Sequence, residues 1–263
     1  MICANNKTGV KCIAWKTEKK EGPFCCPECD SEVILRKGKI RTHHFAHIPP
    51  VSCKYGIGES EIHYRIKKEL YEYFITQDHC KSCEMERRLE GVRPDISLYI
   101  HNRPVAIEIQ KSTIPIDEIR KRTEQYSKLG IAILWIIPGG YPKLLYHEKT
   151  SAFYHRIKEW ELYLHALYFG RVYYYAGVNK VRAVHFETVT LRKESAEWYD
   201  SDGELMSVEG YDYKAKRLKT INALENELSI DQDFKISYRN SFYSKNWIIP
   251  QSKIYIDRKK LWW

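Results

Sequence analysis

The chain has 263 residues, 43% of them hydrophobic, and carries 43 Lys+Arg against 34 Asp+Glu for a formal charge of +9. That apolar fraction excludes a disordered basic tail, and the longest purely apolar run, residues 131–137, is far too short for a membrane span. Eight cysteines are too sparse for a disulfide scaffold, and the opening MICANNKTGVKC lacks the apolar core of a secretory signal, so a soluble cytoplasmic protein inclined towards anions is expected.

Residues 1–58 hold 10 basic and 5 acidic side chains together with six of the eight cysteines, while residues 59–150 hold 15 and 14 and residues 151–263 hold 18 and 15. No repeat or Gly/Ser linker marks a boundary, so boundaries come from changes of pattern. They divide the chain into a small β module at 1–58, a core at 59–148 and an extension at 149–263.

In the first segment, Cys26-Pro27-Glu28-Cys29 has the two-residue gap of a zinc knuckle, in which a tight turn aims two thiolates at one ion. A strand-like run at 32–36, a turn at 37–39 and a second strand-like run at 40–42 predict a hairpin. The hairpin returns the chain to His44, His47 and Cys53, the layout of a zinc ribbon or treble clef. Zinc takes four ligands. Along an extended HFAH segment His44 and His47 point to opposite faces, and the preferred set is Cys26, Cys29, His47 and Cys53, with His44 as the substitute for either late ligand. Cys25 reads as a small packed hydrophobe. Cys80 and Cys83 read as two ordinary thiols in a loop, and a second zinc on Cys3 and Cys12 is the remote alternative.

Residues 59–74 turn helical, with Ile62, Ile66, Leu70 and Phe74 as an apolar stripe. Glu59, His63 and Lys67 share another face at the same four-residue spacing, which by itself describes a solvated face with an ion pair. Residues 86–89 are placed as a strand. Residues 93–100 and 105–110 read as the arms of an antiparallel hairpin about a turn at 101–104, with Asp95 starting one arm and Glu108 ending the other, so that the two carboxylates converge. Glu108 lies between Ile107 and Ile109, and a carboxylate in such a buried strand needs a partner, which a divalent cation would supply. A helix at 114–129 and an all-apolar strand at 131–137 complete an order of helix, three strands, helix, strand.

That order, with Pro94-Asp95 and Glu108-Ile109-Gln110, resembles the PD-(D/E)xK nuclease core. More specifically, FCCPEC and HFAH, GESEIH with Lys67 one turn on, RPDIS, AIEIQKS, and Arg122-Thr123 with Tyr126 before ILWII resemble the competence protein CoiA family over about residues 1–180. The resemblance implies an α/β fold: a restriction-endonuclease-like αβββαβ core on a mixed central sheet, a zinc-binding β module before it and an α+β extension after it. It implies a Mg2+- or Mn2+-dependent deoxyribonuclease with structural Zn2+, acting on DNA in uptake and recombination or in defence against foreign DNA. Recombination or single-strand-binding proteins are the further partners. Asp95 and Glu108 match the metal ligands, and Glu59 matches a family acid on the preceding helix, with Glu61 as its alternative. The departure is Gln110, which stands where the signature has lysine and can orient water or contact phosphate without a charge. Lys67 is expected to supply the missing cation, with a bulge at Lys111 as the other route. His63 would bind phosphate or move a proton. The alternative reading keeps the fold as a DNA-binding or recombination accessory module without cleavage.

Beyond residue 149, a helix at 150–169, strands at 170–176 and 181–191, a polar stretch, and a helix at 218–228 are predicted. Aromatics interleaved with Lys and Arg there are read as ordinary packing, with stacking on single-stranded nucleic acid as the alternative.

Overall fold

The computed structural model describes all residues except 39–41, 51, 54, 57, 58, 245 and 246. The chain folds as two compact units, Met1–Ile109 and Gln110–Trp263.

The first unit begins with β1 (Cys3–Asn6), β2 (Lys11–Ile13), β3 (Phe24–Cys25), β4 (Glu32–Arg36) and β5 (His44–His47), which form one antiparallel sheet in the order β2-β1-β3-β4-β5. Alternation along β4 buries Val33 and Leu35, which join Phe24 and Phe45 in a small core. The strand that pairs with β4 is the histidine segment itself, from Val33 opposite His47 to Arg36 opposite His44. Of the expected second arm at 40–42, Ile40 and Arg41 lie outside the described residues and Thr42 is not in a strand.

Helix α1 (Glu61–Phe74) starts at Ser60, whose hydroxyl accepts from the His63 N–H at 3.4 Å. Ile66, Leu70 and Phe74 of the predicted stripe are fully buried. Trp15 packs edge-on against Tyr64 at 5.5 Å, which seats the N-terminal sheet on this helix. Next come β6 (Cys80–Met85), β7 (Ile96–Ile100) and β8 (Arg103–Ile109), an antiparallel ladder. The strand expected at 86–89 is displaced to 80–85: Glu86 adopts a left-handed φ of 51° and Leu89 bridges to Val92, so residues 86–92 turn instead. Cys80 and Cys83 are consequently strand residues, flanking a register shift at which Ser82 has φ 49°. The β7–β8 turn is tighter than expected. His101 and Asn102, at φ 48° and 60°, make a two-residue turn that matches strand twist, and Ile96 then lies opposite Ile107.

The second unit contains α2 (Ile116–Lys128), β9 (Ala132–Ile137), β10 (Leu144–His147), β11 (Ala152–Arg156), α3 (Glu159–Leu167), β12 (Val172–Gly177) and β13 (Lys180–Lys193). It continues with β14 (Ala196–Tyr199), β15 (Leu205–Val208), β16 (Tyr211–Ala223), β17 (Leu228–Ser229), β18 (Phe234–Arg239), β19 (Phe242–Tyr243), β20 (Ile248–Ile249) and β21 (Ser252–Asp257). Every residue of β9 is buried, as a central strand requires. Both β12 and β21 run parallel to β9 while β13 pairs antiparallel with β12 and β16, so the sheet is mixed.

Two predicted helices are corrected here. Residues 152–156 form a strand because Ser151 turns the chain at φ 49°, and Phe153, which a helix would turn to the core, is 61% exposed; the helix waits until Glu159. Residues 218–223 continue β16 in register with β13, where Thr220 and Ile221 suit a strand surface, and only residues 228–229 pair beyond it. The polar stretch before them is likewise a pair of strands, β14 and β15.

Candidate functional site

The helix α1 face and the β7–β8 hairpin bring four of the expected residues together in the first unit. Lys67 is 2% exposed, and its ammonium lies 2.5 Å from Glu59 Oε1, 2.5 Å from Glu86 Oε1 and 3.6 Å from Asp95 Oδ1. His63 Nε2 is 2.9 Å from Asp95 Oδ2 and its Nδ1 is 3.5 Å from Glu59 Oε1. The Ile109 N–H also donates to Asp95 Oδ2 at 2.8 Å. Glu59 lies just before the Ser60 cap rather than on the helix, and still falls one turn below His63. Glu108 is 1% exposed; the Ile96–Ile107 register sets it directly across from Asp95 and, by the two-residue period, on the same face. Glu61, the alternative acid, is exposed in the first turn of α1.

Burial would push the Asp95 carboxyl up, but Lys67, the His63 hydrogen bond and the Ile109 N–H outweigh it and hold the pKa at about 2. For Glu86, burial is likewise outweighed, by Lys67 and by a hydrogen bond from Tyr55, so the acid stays ionised. Burial opposes the charge on Lys67, yet Glu86, Asp95 and Glu59 keep it protonated well above the ordinary lysine range.

Cys26, Cys29, His47 and Cys53 converge in the same unit, one ligand atom from each lying within 4.8 Å of the others. Zinc–sulfur bonds of about 2.3 Å in a tetrahedron need ligand atoms this close, so the group fits a zinc ion. Cys29 Sγ is 3.4 Å from His47 Nε2. Hydrogen bonds from Ser31 lower the Cys29 thiol to about 6, towards the thiolate a metal takes. His44 is turned away to the Thr42 carbonyl, to which its Nδ1 donates at 2.9 Å. Cys3 and Cys12 are buried separately in β1 and β2, and among the described residues no second group of this kind occurs.

Two family models match the chain: the nuclease-like domain of competence protein CoiA over residues 59–202, and the N-terminal domain of the same protein over residues 7–56. The chain belongs to the CoiA family. The competence protein CoiA of Bacillus subtilis (strain 168) is 35% identical over 136 residues, 51% of this chain and 35% of that protein, so the match spans about a third of the relative's length. No solved structure matches the chain.

In this CoiA-family chain the zinc group falls within the N-terminal match and the Lys67 cluster within the nuclease-like match. Three residues missed from sequence, Tyr55, Glu86 and Arg93, join them. The partly buried Tyr55 donates its hydroxyl to Glu86. Arg93, two residues before Asp95, stacks over the Tyr55 ring at 4.3 Å and pairs with Glu28 inside the knuckle. Glu86 was hidden in the charged run 84–88, where only its left-handed backbone separates it from solvated neighbours. Tyr55 had no signal beyond its nearness to Cys53. Gln110 opens the second unit and donates from Nε2 to the Ser112 carbonyl at 2.7 Å. Lys111 is exposed. Among the described residues, no helix is long and apolar enough to cross a membrane.

Proposed function

We propose that this chain is a metal-dependent deoxyribonuclease acting on DNA in uptake and recombination or in defence against foreign DNA. The observation that carries the reading is the gathering of Glu59, Glu86 and Asp95 on one buried ammonium, beside Glu108 in register. Three carboxylates against Lys67 leave net negative charge, and carboxylate oxygens are the donors magnesium takes. On this reading Asp95 and Glu108 would hold Mg2+ or Mn2+, with Glu59 joining directly or through water. Such an ion supplies Lewis acidity at a phosphate and a water acidic enough to attack near neutral pH.

The side chains do the positioning. His63 fixes the Asp95 carboxylate from one ring nitrogen, and when protonated adds positive charge next to an incoming phosphate. Lys67 keeps Glu86 and Asp95 ionised and takes the part of the lysine that Gln110 replaces; Gln110 is left to orient water or contact phosphate. The zinc module, with 10 basic and 5 acidic side chains in residues 1–58, would grip the backbone of DNA.

One specific observation favours the second reading, a DNA-binding or recombination accessory module without cleavage: Lys67 already occupies the carboxylates, and Gln110 carries no charge. The purified chain, incubated with linear, circular, single- and double-stranded DNA, separates the two. Cleavage is expected with Mg2+ or Mn2+ and not with EDTA, and Asp95→Asn or Glu108→Gln should slow it on the order of 10²-fold or more while binding in EDTA persists. Binding without metal-dependent cleavage of any substrate would leave only the accessory role.

A further inference from the structure

The second unit contains a cleft that none of these residues uses. It encloses about 1130 Å³ between the start of α2, the junction of β11 with α3, and the residues flanking β19 and β20. Four cationic side chains from three segments line it: Arg120 on α2, Arg156 and Lys158 at the junction of β11 with α3, and Arg217 on β16. Arg120 is held by Asp117 at 3.1 Å, but among the described residues no carboxylate pairs with Arg156, Lys158 or Arg217. Unpaired like charges gathered in one concavity repel one another and focus a field that attracts anions.

The rest of the lining includes the carboxylates of Asp117 and Glu159, which leave the cleft net positive, together with aliphatic side chains and two tryptophans. Trp247 is partly exposed there, its ring braced edge-on against Tyr163 at 6.3 Å. The indole nitrogens of Trp247 and of the buried Trp160, both lining residues, have no acceptor among the described residues. Folded proteins rarely leave buried donors in that condition without a ligand, ion or water to meet them. Unpaired cations beside a braced, partly exposed ring match a ligand that brings phosphate oxygens and flat base faces in alternation.

We propose that this cleft binds single-stranded DNA through its phosphates and at least one base stacked on Trp247. A duplex buries its base faces in its own stack and offers none to an indole. The volume exceeds the ~300–1,000 Å³ of small-molecule pockets, which suits a few linked nucleotides better than one. The site is independent of the carboxylates, so binding there does not depend on cleavage.

The test uses the intact chain in EDTA, where cleavage is silent, with a fluorescein-labelled 15-nucleotide oligo(dT) followed by anisotropy across a salt series. The Arg156→Ala/Lys158→Ala/Arg217→Ala variant should bind about tenfold or more weakly. Its log–log salt slope should be shallower by about 2, since each lost contact to single-stranded phosphate removes roughly 0.7. Trp247→Ala should also weaken binding, at least about fivefold, and Trp247→Phe should largely restore it. Unchanged affinity and slope in a folded triple variant would overturn the proposal whatever the cleavage assay shows. So would competition by thymidine monophosphate as effective as by oligo(dT), or a duplex preferred through the same three residues.

Discussion

Lys67 is the residue on which the carboxylate cluster depends. Removing one member of a buried ion pair leaves uncompensated charge and costs about 3–5 kcal/mol, and Lys67→Met leaves Glu59, Glu86 and Asp95 facing one another. The variant should therefore lose stability on that scale in EDTA, read by denaturant unfolding, and adding Glu86→Gln should recover part of the loss. Millimolar Mg2+ should raise the melting temperature of Lys67→Met more than that of wild type, because a divalent ion can replace the ammonium it no longer meets. Equal shifts in the two proteins would argue that the carboxylates are not a cation site. Of this cluster, Glu59, His63, Lys67, Asp95 and Glu108 were legible in the sequence, because helix and strand periods bring them round to shared faces. Glu86 was not, since a left-handed turn residue belongs to no period and its partner is nineteen positions away.

Among elements, the knuckle and the β7 strand are tied by side chains rather than by backbone pairing. Glu28, between the two knuckle cysteines Cys26 and Cys29, pairs with Arg93, and Arg93 leads directly through Pro94 to Asp95. Tyr55, two residues after Cys53, reaches Glu86. Metal in the knuckle should consequently steady the carboxylates. Metal analysis is expected to return about one zinc per chain. Cys29→Ser should lower both zinc content and Mg2+ affinity measured by calorimetry. Tyr55→Phe should keep the zinc but cost about 1–3 kcal/mol by leaving Glu86 short of a donor; retained Mg2+ affinity in zinc-free Cys29→Ser would show that the two sites are uncoupled. The knuckle was readable because its ligands sit at short fixed spacings, and the β7–β8 hairpin because its arms are adjacent. Strand β6 was misplaced because Cys80-Lys81-Ser82-Cys83 carries no strand alternation, and its pairing with β7 across 86–92 is what makes it a strand.

For the whole molecule, the charge excess is densest in residues 1–58, yet the second unit makes its own basic concavity from residues spread between 120 and 217, which no local count of charge reveals. The same distance in sequence explains the misread helices: β16 is held by its long ladder with β13, and ladder partners override local periodicity. The two units also differ in how acid should affect them. In the second, His165 Nε2 accepts from the Phe186 N–H at 3.1 Å, and burial, then the neighbouring His185 and Lys219, press its pKa down to about 3. The unfolded chain protonates near pH 6.5, so this contribution to stability is complete above about 6.5 and falls away as pH drops towards 3, by at most about 1.4 kcal/mol per pH unit. Asp95 in the first unit, at about 2 when folded and about 3.9 when unfolded, keeps its contribution down to about pH 4 and loses it only towards 2. Six of the seven tryptophans lie in the second unit, so intrinsic fluorescence follows it selectively. Its melting temperature should fall between pH 7 and pH 5, and His165→Gln, which retains an acceptor for Phe186, should flatten that fall. His155 acts in the opposite sense: burial lowers its pKa, but Glu161 more than compensates, so its contribution survives at low pH. Because His155 is present in both proteins, the comparison isolates His165, and equal slopes for wild type and variant would remove this histidine as the acid-sensitive group.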